Sequence, residues 1–142
     1  MRLRKIYSFG KCYNEELYLS LQLMDESIFY GAADEFKHNR EWWVIENAGQ
    51  IIAYCGSAYK DGICIFVRAW VSSKHRGKGI HTKLIKARIK AANTHNCKWA
   101  ITYTTHDNVN SANNLFKNGF RLYIPEYRYA GIEMIYFRYL IK

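Results

Sequence analysis

The stretch AWVSSKHRGKGIHTKLI, residues 69–85, constrains the fold of this chain more than any other. An apolar run ends at Val71, a polar hinge with Gly77 and Gly79 follows, and an amphipathic pattern begins at Ile80. This order predicts a strand, a glycine-containing turn and a helix whose first backbone N–H groups have no partner within the helix. Those N–H groups and the positive end of the helix dipole favour an anion, and phosphate in particular.

The distribution of charge agrees with an anionic partner. Arg76 and Lys78 add positive charge to the hinge, where the two glycines allow the backbone to approach a ligand closely. Residues 1–71 hold 8 Lys and Arg against 9 Asp and Glu, whereas residues 72–142 hold 13 against 3. The sequence therefore indicates a phosphorylated cofactor or a nucleic acid as partner. A basic turn without a ligand, on a solvated surface, explains these charges equally well.

Composition limits the class of protein. The 142 residues are 49% apolar, which is enough to build the core of one domain and too apolar for a disordered chain. No apolar run approaches the roughly 20 residues of a membrane span, and the N-terminus lacks the apolar core of a signal peptide. The four cysteines show no CxxC spacing, and three of them lie in apolar, strand-like runs. We therefore expect buried free thiols rather than disulfides or a metal site, and a cytoplasmic location.

Hydrophobic periodicity predicts the element order β-α-α-β-β-β-α-β-α-β-β, a mixed α/β fold in which one sheet carries helices on its faces. Between residues 14 and 39 we expect two short helices, with Asp25 as N-cap of the second and Ala33 on its apolar face. Turns are expected at 47–49 and 60–62. The remaining elements are strands over 2–9, 97–105, 119–124 and 131–141 and helices beginning at Ile80 and at Ser111.

The hinge sequence VSSKHRGKGI resembles the cofactor-binding motif of the GNAT family of N-acetyltransferases. The residues in register with that motif are Val71, Arg76, Gly77, Gly79 and Ile80. His81 departs from the pattern, which has a small residue at this place. Its side chain either crowds the pyrophosphate of the cofactor or donates a hydrogen bond to it.

A second stretch, NVNSANNLFKNGF, resembles another motif of the same family. The matching residues are Asn108, Ser111, Gly119 and Phe120. Because the two motifs occur in the family's order over residues 41–141, the chain is identified as a member. The resemblance implies a mixed, mostly antiparallel sheet flanked by helices, in a single acyltransferase domain over residues 1–142.

The resemblance also implies transfer of an acetyl group from acetyl-CoA to a primary amine by direct attack in a ternary complex. The hinge N–H groups are expected to hold the pyrophosphate, and the strand end is expected to pair with the pantetheine arm. The implied cofactor-binding residues are Trp70, Val71, Arg76, Gly77, Lys78, Gly79, Ile80, His81, Asn108 and Ser111.

Proton transfer is where the sequence departs from its relatives. Many members carry a base on the strand before the hinge and a tyrosine on the short helix, but the comparable positions hold Ile65, Val67 and Leu115. Either water carries the protons, or other side chains do. We rank Tyr103 and His106 first as catalytic residues, because both lie near the strand end expected to face the acetyl group.

Two alternatives remain at this point. The acceptor amine could be borne by a nucleic acid, as the basic second half suggests. The chain could also be a CoA-binding or nucleic-acid-binding module that has lost catalysis, as the missing proton groups suggest. We expect no membrane association, and both a monomer and a homodimer are compatible with the sequence.

Overall fold

The computed structural model of the chain describes residues 1–30 and 35–141. Its strands are β1 (Arg2–Ser8), β2 (Lys11–Cys12), β3 (Glu41–Asn47), β4 (Gln50–Lys60), β5 (Ile63–Val71), β6 (Trp99–Thr104), β7 (Arg121–Leu122) and β8 (Ile135–Leu140). Its helices are α1 (Glu15–Ile28), α2 (Ile80–Thr94) and α3 (Val109–Lys117), with 3₁₀ turns at Glu35–Lys37 and Ser73–His75. No helix among the described residues has both the length and the apolar character needed to cross a bilayer.

The described strands form a sheet in the order β2-β1-β3-β4-β5-β6-β8-β7. Strands β5 and β6 pair in parallel, whereas the pairs β1–β2, β1–β3, β3–β4, β6–β8 and β7–β8 are antiparallel. A mixed, mostly antiparallel sheet accompanied by helices confirms the predicted fold class.

Two hairpin turns lie where the sequence placed them. Ala48 and Gly49 connect β3 to β4 with φ angles of 52° and 78°, and Asp61 and Gly62 connect β4 to β5 with 51° and 75°. Positive φ at both central residues is typical of the two-residue turns that match the twist of antiparallel strands. The first turn sets the pairs Asn47–Gln50 and Glu46–Ile51, and a bulge then shifts the register between β3 and β4.

The helical stretch of the first third differs from the prediction. A single helix, α1, begins after Asn14, whose side chain accepts a hydrogen bond from the backbone N–H of Leu17, and continues to Ile28. The assignment of Asp25 as an N-cap was therefore wrong, because Asp25 lies inside this helix with its carboxylate held by residues far away in the sequence. Ala33 lies outside the described residues.

The strand bounds near the C-terminus also differ. Strand β7 comprises two residues, and β8 begins at Ile135 rather than at Gly131, because residues 123–134 form a loop. The short strand β2, which pairs with the end of β1, was not predicted.

The chain forms two compact units, residues 1–58 with 67–80 and residues 59–66 with 81–142. The buried core of the first unit consists of Ile6, Leu21, Trp42, Val44 and Tyr54. The buried core of the second unit consists of Cys64, Phe66, Ile85, Ala92, Cys97, Ala100, Leu115, Phe120, Phe137 and Ile141. Three of the four cysteines are buried, as expected, and Cys12 is exposed.

Helix α2 has the two faces that its sequence predicts. Ile80, Leu84 and Ile85 are at most 2% exposed, whereas Lys83, Lys86 and Lys90 lie on the exposed face. One cation departs from this pattern. Arg88 is 2% exposed, and its guanidinium lies 3.8 Å from the centroid of the Phe66 ring. A cation over an aromatic face within about 6 Å is attracted by the ring, which offsets part of its cost of burial.

Candidate active site

The hinge between β5 and α2 depends on two glycines. Gly77 and Gly79 have backbone φ angles of 74° and 77°, a conformation that residues other than glycine rarely adopt. A Cβ atom at either position would meet no other atom within 4 Å, so backbone conformation and not space requires glycine here. The hinge is consequently open on the side where these Cβ atoms would lie, as a cradle for a ligand requires.

Hydrogen bonds order the strand end and the hinge. Arg76 donates from Nε to the carbonyl oxygen of Val71 at 2.9 Å, and the backbone N–H of Ser72 donates to the carbonyl oxygen of Ile52 at 2.8 Å. The hydroxyl of Ser72 also lies 2.9 Å from Nδ1 of His75. These contacts order the segment from Val71 to Arg76, and such preorganisation lowers the entropic cost of binding a ligand.

The charge of the hinge favours an anion. Arg76 and Lys78 are exposed, and the first turn of α2 carries no acidic side chain. The helix is 15 residues long, so the dipole at its N-terminus adds to these charges. The hinge therefore combines two exposed cations with the positive end of a helix dipole, an arrangement that favours an anion.

The side chain of His81 is hydrogen-bonded to another residue of the second unit. The side-chain amide of Asn114, on α3, donates to Nδ1 of His81 at 3.0 Å. Burial, and then the positive charge of Arg88, lowers the pKa of His81 to about 4. Near neutral pH the ring is therefore uncharged. The contact with Asn114 gives a reason, absent from the sequence motif, for a large residue at this position.

The neutral state of His81 predicts that acid destabilises the fold. Its ordinary pKa is 6.5 and its folded pKa is about 4, so between these values the unfolded chain binds more protons than the folded chain. Stability should therefore fall as pH falls from 6.5 towards 4, and between about pH 7.5 and pH 5 this residue should account for roughly 2 kcal/mol. Urea unfolding of wild type and of His81→Asn at both pH values measures the effect, and identical losses for the two proteins would contradict it.

The second sequence motif forms the beginning and end of α3. The side chain of Asn108 accepts a hydrogen bond from the backbone N–H of Ser111 at 3.2 Å and so caps the helix. Gly119 follows the helix with a φ angle of 90°, and Phe120 is fully buried. Helix capping thus accounts for part of the motif, and Leu115, 3% exposed, has no group for proton transfer.

The two ranked catalytic residues differ in their surroundings. The ring of Tyr103, near the end of β6, is 41% exposed and lies edge-on to the ring of Tyr129, with centroids 5.8 Å apart. Tyr136, its partner across the β6–β8 pair, has its ring centroid at 6.3 Å. His106 lies in the exposed turn after β6. Tyr103 therefore belongs to an aromatic cluster, whereas His106 belongs to a surface turn.

A buried polar cluster in the first unit was missed by the sequence analysis. Asp25, 4% exposed, accepts hydrogen bonds from the hydroxyl of Tyr54 at 2.6 Å and from Nε of Arg68 at 3.0 Å. Burial, followed by the neighbouring carboxylate, strongly raises the pKa of Tyr54. Arg68 has a φ angle of 48° within β5, a strained conformation for a residue other than glycine. The only available signal was a pair of acidic residues, Asp25 and Glu26, in the otherwise apolar stretch LQLMDESIF.

This cluster fixes β5 shortly before its end. Arg68 precedes Val71 by three residues, and Trp70 packs against Tyr54 with ring centroids 5.9 Å apart. The last residues in register between β5 and β6 are Ile65 and Ile101, and β5 continues beyond that pair to Val71. The ion pair and the aromatic contact thus position the strand segment that leads into the hinge.

Two further carboxylates, Glu46 and Glu133, are more distant candidates for proton transfer, and their surroundings differ from those of Tyr103 and His106. Glu46 accepts a hydrogen bond from Nε of Arg4 at 2.6 Å, whereas Glu133 is exposed in the loop before β8. Within residues 1–30 and 35–141, no three His, Cys, Asp or Glu side chains are close enough together to hold a metal ion.

Comparison with protein families shows to which family this chain belongs. The model of the acetyltransferase (GNAT) family matches residues 5–120, most of the chain. The chain belongs to the acetyltransferase (GNAT) family. It is therefore an N-acetyltransferase, and acetyl-CoA is its co-substrate.

Solved structures agree on the fold of this acetyltransferase. A GNAT-family acetyltransferase from Staphylococcus aureus Mu50 matches with a TM-score of 0.74 at 16% identity, covering 99% of this chain and 100% of the other. An acetyltransferase from Streptococcus agalactiae 2603 gives 0.75 at 11% identity, covering 98% and 97%. An aminoglycoside 6′-N-acetyltransferase solved with coenzyme A gives 0.74 at 13% identity, covering 100% and 98%. A search among curated proteins finds no significant match.

Proposed function

We propose that this acetyltransferase transfers the acetyl group of acetyl-CoA to a primary amine by direct attack in a ternary complex. The neutral amine nitrogen attacks the thioester carbon, a C–N bond forms and the C–S bond breaks. The proton released by the nitrogen ends on the thiol of CoA, so the products are an amide and free CoA. Binding both substrates together supplies much of the rate through proximity, and a thiolate is a tolerable leaving group.

The observation that carries the proposal is the hinge with positive φ at Gly77 and Gly79, at the start of a long helix. In this proposal the N–H groups of the hinge bind the pyrophosphate, and a backbone N–H near the end of β5 polarises the thioester carbonyl. The continuation of β5 beyond its last pair with β6 supports pairing of its end with the pantetheine arm. The proposed cofactor-binding residues are Trp70, Val71, Arg76, Gly77, Lys78, Gly79, Ile80, His81, Asn108 and Ser111.

Tyr103 and His106 are the proposed proton-transfer groups. Tyr103 is favoured of the two, because it is partly exposed and its ring is fixed by aromatic neighbours. The nucleic-acid-borne acceptor and the inactive binding module are not favoured, because the chain belongs to a family of acetyltransferases. The same match extends through parts of both compact units, which supports one acyltransferase domain over the chain.

Initial-rate kinetics test the proposed reaction. The release of CoA thiol is measured while acetyl-CoA and an accepted primary amine are varied together. Direct attack in a ternary complex predicts reciprocal plots that intersect. Parallel plots, or trapping of an acetylated protein by mass spectrometry, would instead indicate a covalent intermediate.

Replacing Tyr103 by phenylalanine tests its role. Removal of a general acid is expected to lower kcat by about 10²-fold. The Kd for acetyl-CoA should not change, because the ring and its aromatic contacts remain. Tyr127→Phe is the matched control, because Tyr127 is an exposed tyrosine in the loop between β7 and β8. This variant should retain full activity. If Tyr103→Phe keeps the wild-type kcat, Tyr103 is not the general acid, and His106 or water transfers the proton.

A further inference from the structure

The loop between β7 and β8 lines an open cavity of about 390 Å³ within the second unit. The lining residues that matter for the argument are Leu122, Ile124, Arg128, Ile132, Met134 and Tyr136. Sites for small molecules range from about 300 to 1,000 Å³ and are mostly apolar, with a few polar groups. This cavity lies near the lower end of that range, so its size suits a small ligand.

The aliphatic side chains around the cavity are unusually exposed. Ile124 is 81% exposed, Ile132 is 77% exposed and Leu122 is 56% exposed. Exposed aliphatic groups clustered around a concave surface are typical of ligand-binding grooves and of protein interaction sites. The hydrophobic part of the ligand would therefore lie against these three residues.

The cavity is preformed and lies beside a proposed catalytic residue. The hydroxyl of Tyr136 donates to the carbonyl oxygen of Gly131 at 2.7 Å and accepts from the backbone N–H of Ala130 at 3.0 Å, which pins the loop to β8. Tyr136 also pairs with Tyr103 across the β6–β8 ladder. A ligand in the cavity would thus lie at the end of the sheet that carries Tyr103.

The charge of the lining restricts the ligand further. Arg128 is the only charged residue among the described residues that line the cavity, and it is exposed. Glu126 and Glu133 belong to the same loop but are not part of the lining. Arginine binds carboxylates through paired N–H groups, whereas a polycationic amine would find no carboxylate on these walls.

We infer that this cavity is the acceptor subsite and that the acceptor is a small primary amine with an apolar side chain and a carboxylate, such as a hydrophobic α-amino acid. The inference rests on the proposed function and specifies its substrate class. The side chain lies against the exposed aliphatic residues, and the carboxylate pairs with Arg128. The amine thereby remains as the group presented for acetylation.

The test compares matched amines by the release of CoA thiol. L-leucine and L-phenylalanine are each compared with their amides, which lack the carboxylate charge. They are also compared with their decarboxylated analogues, isoamylamine and phenethylamine, and with the polycation spermidine. The amino acids should exceed their amides and decarboxylated analogues in kcat/KM by at least tenfold. In Arg128→Gln this preference should disappear, while Arg128→Lys retains part of it and the control Lys86→Gln retains all of it. Preference for spermidine would overturn the inference.

The apolar walls are tested separately. Ile132→Asp should raise KM for L-leucine by about tenfold or more, whereas Leu23→Asp, at an exposed leucine on α1, should not. If Ile132→Asp converts a dimer into a monomer in light scattering and leaves amine selectivity unchanged, the cavity is a subunit contact and the inference is wrong.

Direct binding distinguishes failure of this inference from failure of the proposed function. Saturation-transfer NMR with L-leucine, in the presence of CoA, is compared for wild type and Arg128→Gln. Binding that is lost in the variant, without any acetyl transfer, would support the subsite and overturn the proposed transfer. Acetylation of other amines without binding of L-leucine would support the proposed transfer and overturn the subsite.

Discussion

Replacing Asp25 by alanine is expected to destabilise the acetyltransferase by about 3–5 kcal/mol, the usual cost of removing one partner of a buried ion pair. The carboxylate is 4% exposed and accepts short hydrogen bonds from Tyr54 and Arg68. Its removal takes an acceptor from a buried hydroxyl and a counter-charge from a guanidinium whose side chain is only 12% exposed. The strained backbone at Arg68 then loses one of the contacts that hold it.

The free energy of unfolding in urea measures this effect. The matched control is Glu26→Ala, which removes the adjacent carboxylate on the same helix from an exposed position and should change stability by less than about 0.5 kcal/mol. Equal values for the two variants would show that the buried cluster contributes nothing. Tyr54→Phe, which removes one of the two hydrogen bonds, should fall between them at roughly 1–2 kcal/mol.

Replacing Gly79 by glutamate is expected to weaken acetyl-CoA binding by about 10²–10³-fold. The substitution places a side chain at a φ angle of 77° and so strains the hinge by about 1–2 kcal/mol. It also brings a negative charge to the place proposed for the pyrophosphate, where like charges in partly desolvated surroundings repel. Isothermal titration calorimetry at moderate salt measures the Kd.

Gly49 provides a closely matched control. It has a φ angle of 78°, nothing lies within 4 Å of a Cβ atom there, and it occupies the turn between β3 and β4. Gly49→Glu therefore introduces the same charge and a similar strain at a turn with no proposed ligand. Its Kd for acetyl-CoA should equal that of the wild type. Equal Kd values for acetyl-CoA in Gly79→Glu and Gly49→Glu would show that the hinge is not part of the cofactor site.

The elements that the sequence predicts well are those governed by neighbours along the chain. The amphipathic spacing of α2 needs only its own residues, and the turns at Ala48-Gly49 and Asp61-Gly62 need only positive φ at two adjacent positions. The prediction failed at Asp25, where a residue typical of an N-cap lies within α1. Its partners, Tyr54 and Arg68, are 29 and 43 residues away, and no local pattern records such a distance.

The sequence by itself determined the fold class, the family and the hinge, because each depends on short motifs whose spacing sets the local conformation of the backbone. Only the tertiary structure decided which side chains meet. It placed His81 beside Asn114, the carboxylate of Asp25 beside Tyr54 and Arg68, and an apolar cavity within the loop before β8. The physical reason is that pKa values, buried ion pairs and cavities depend on desolvation and packing by residues that are distant in the chain and adjacent only after folding.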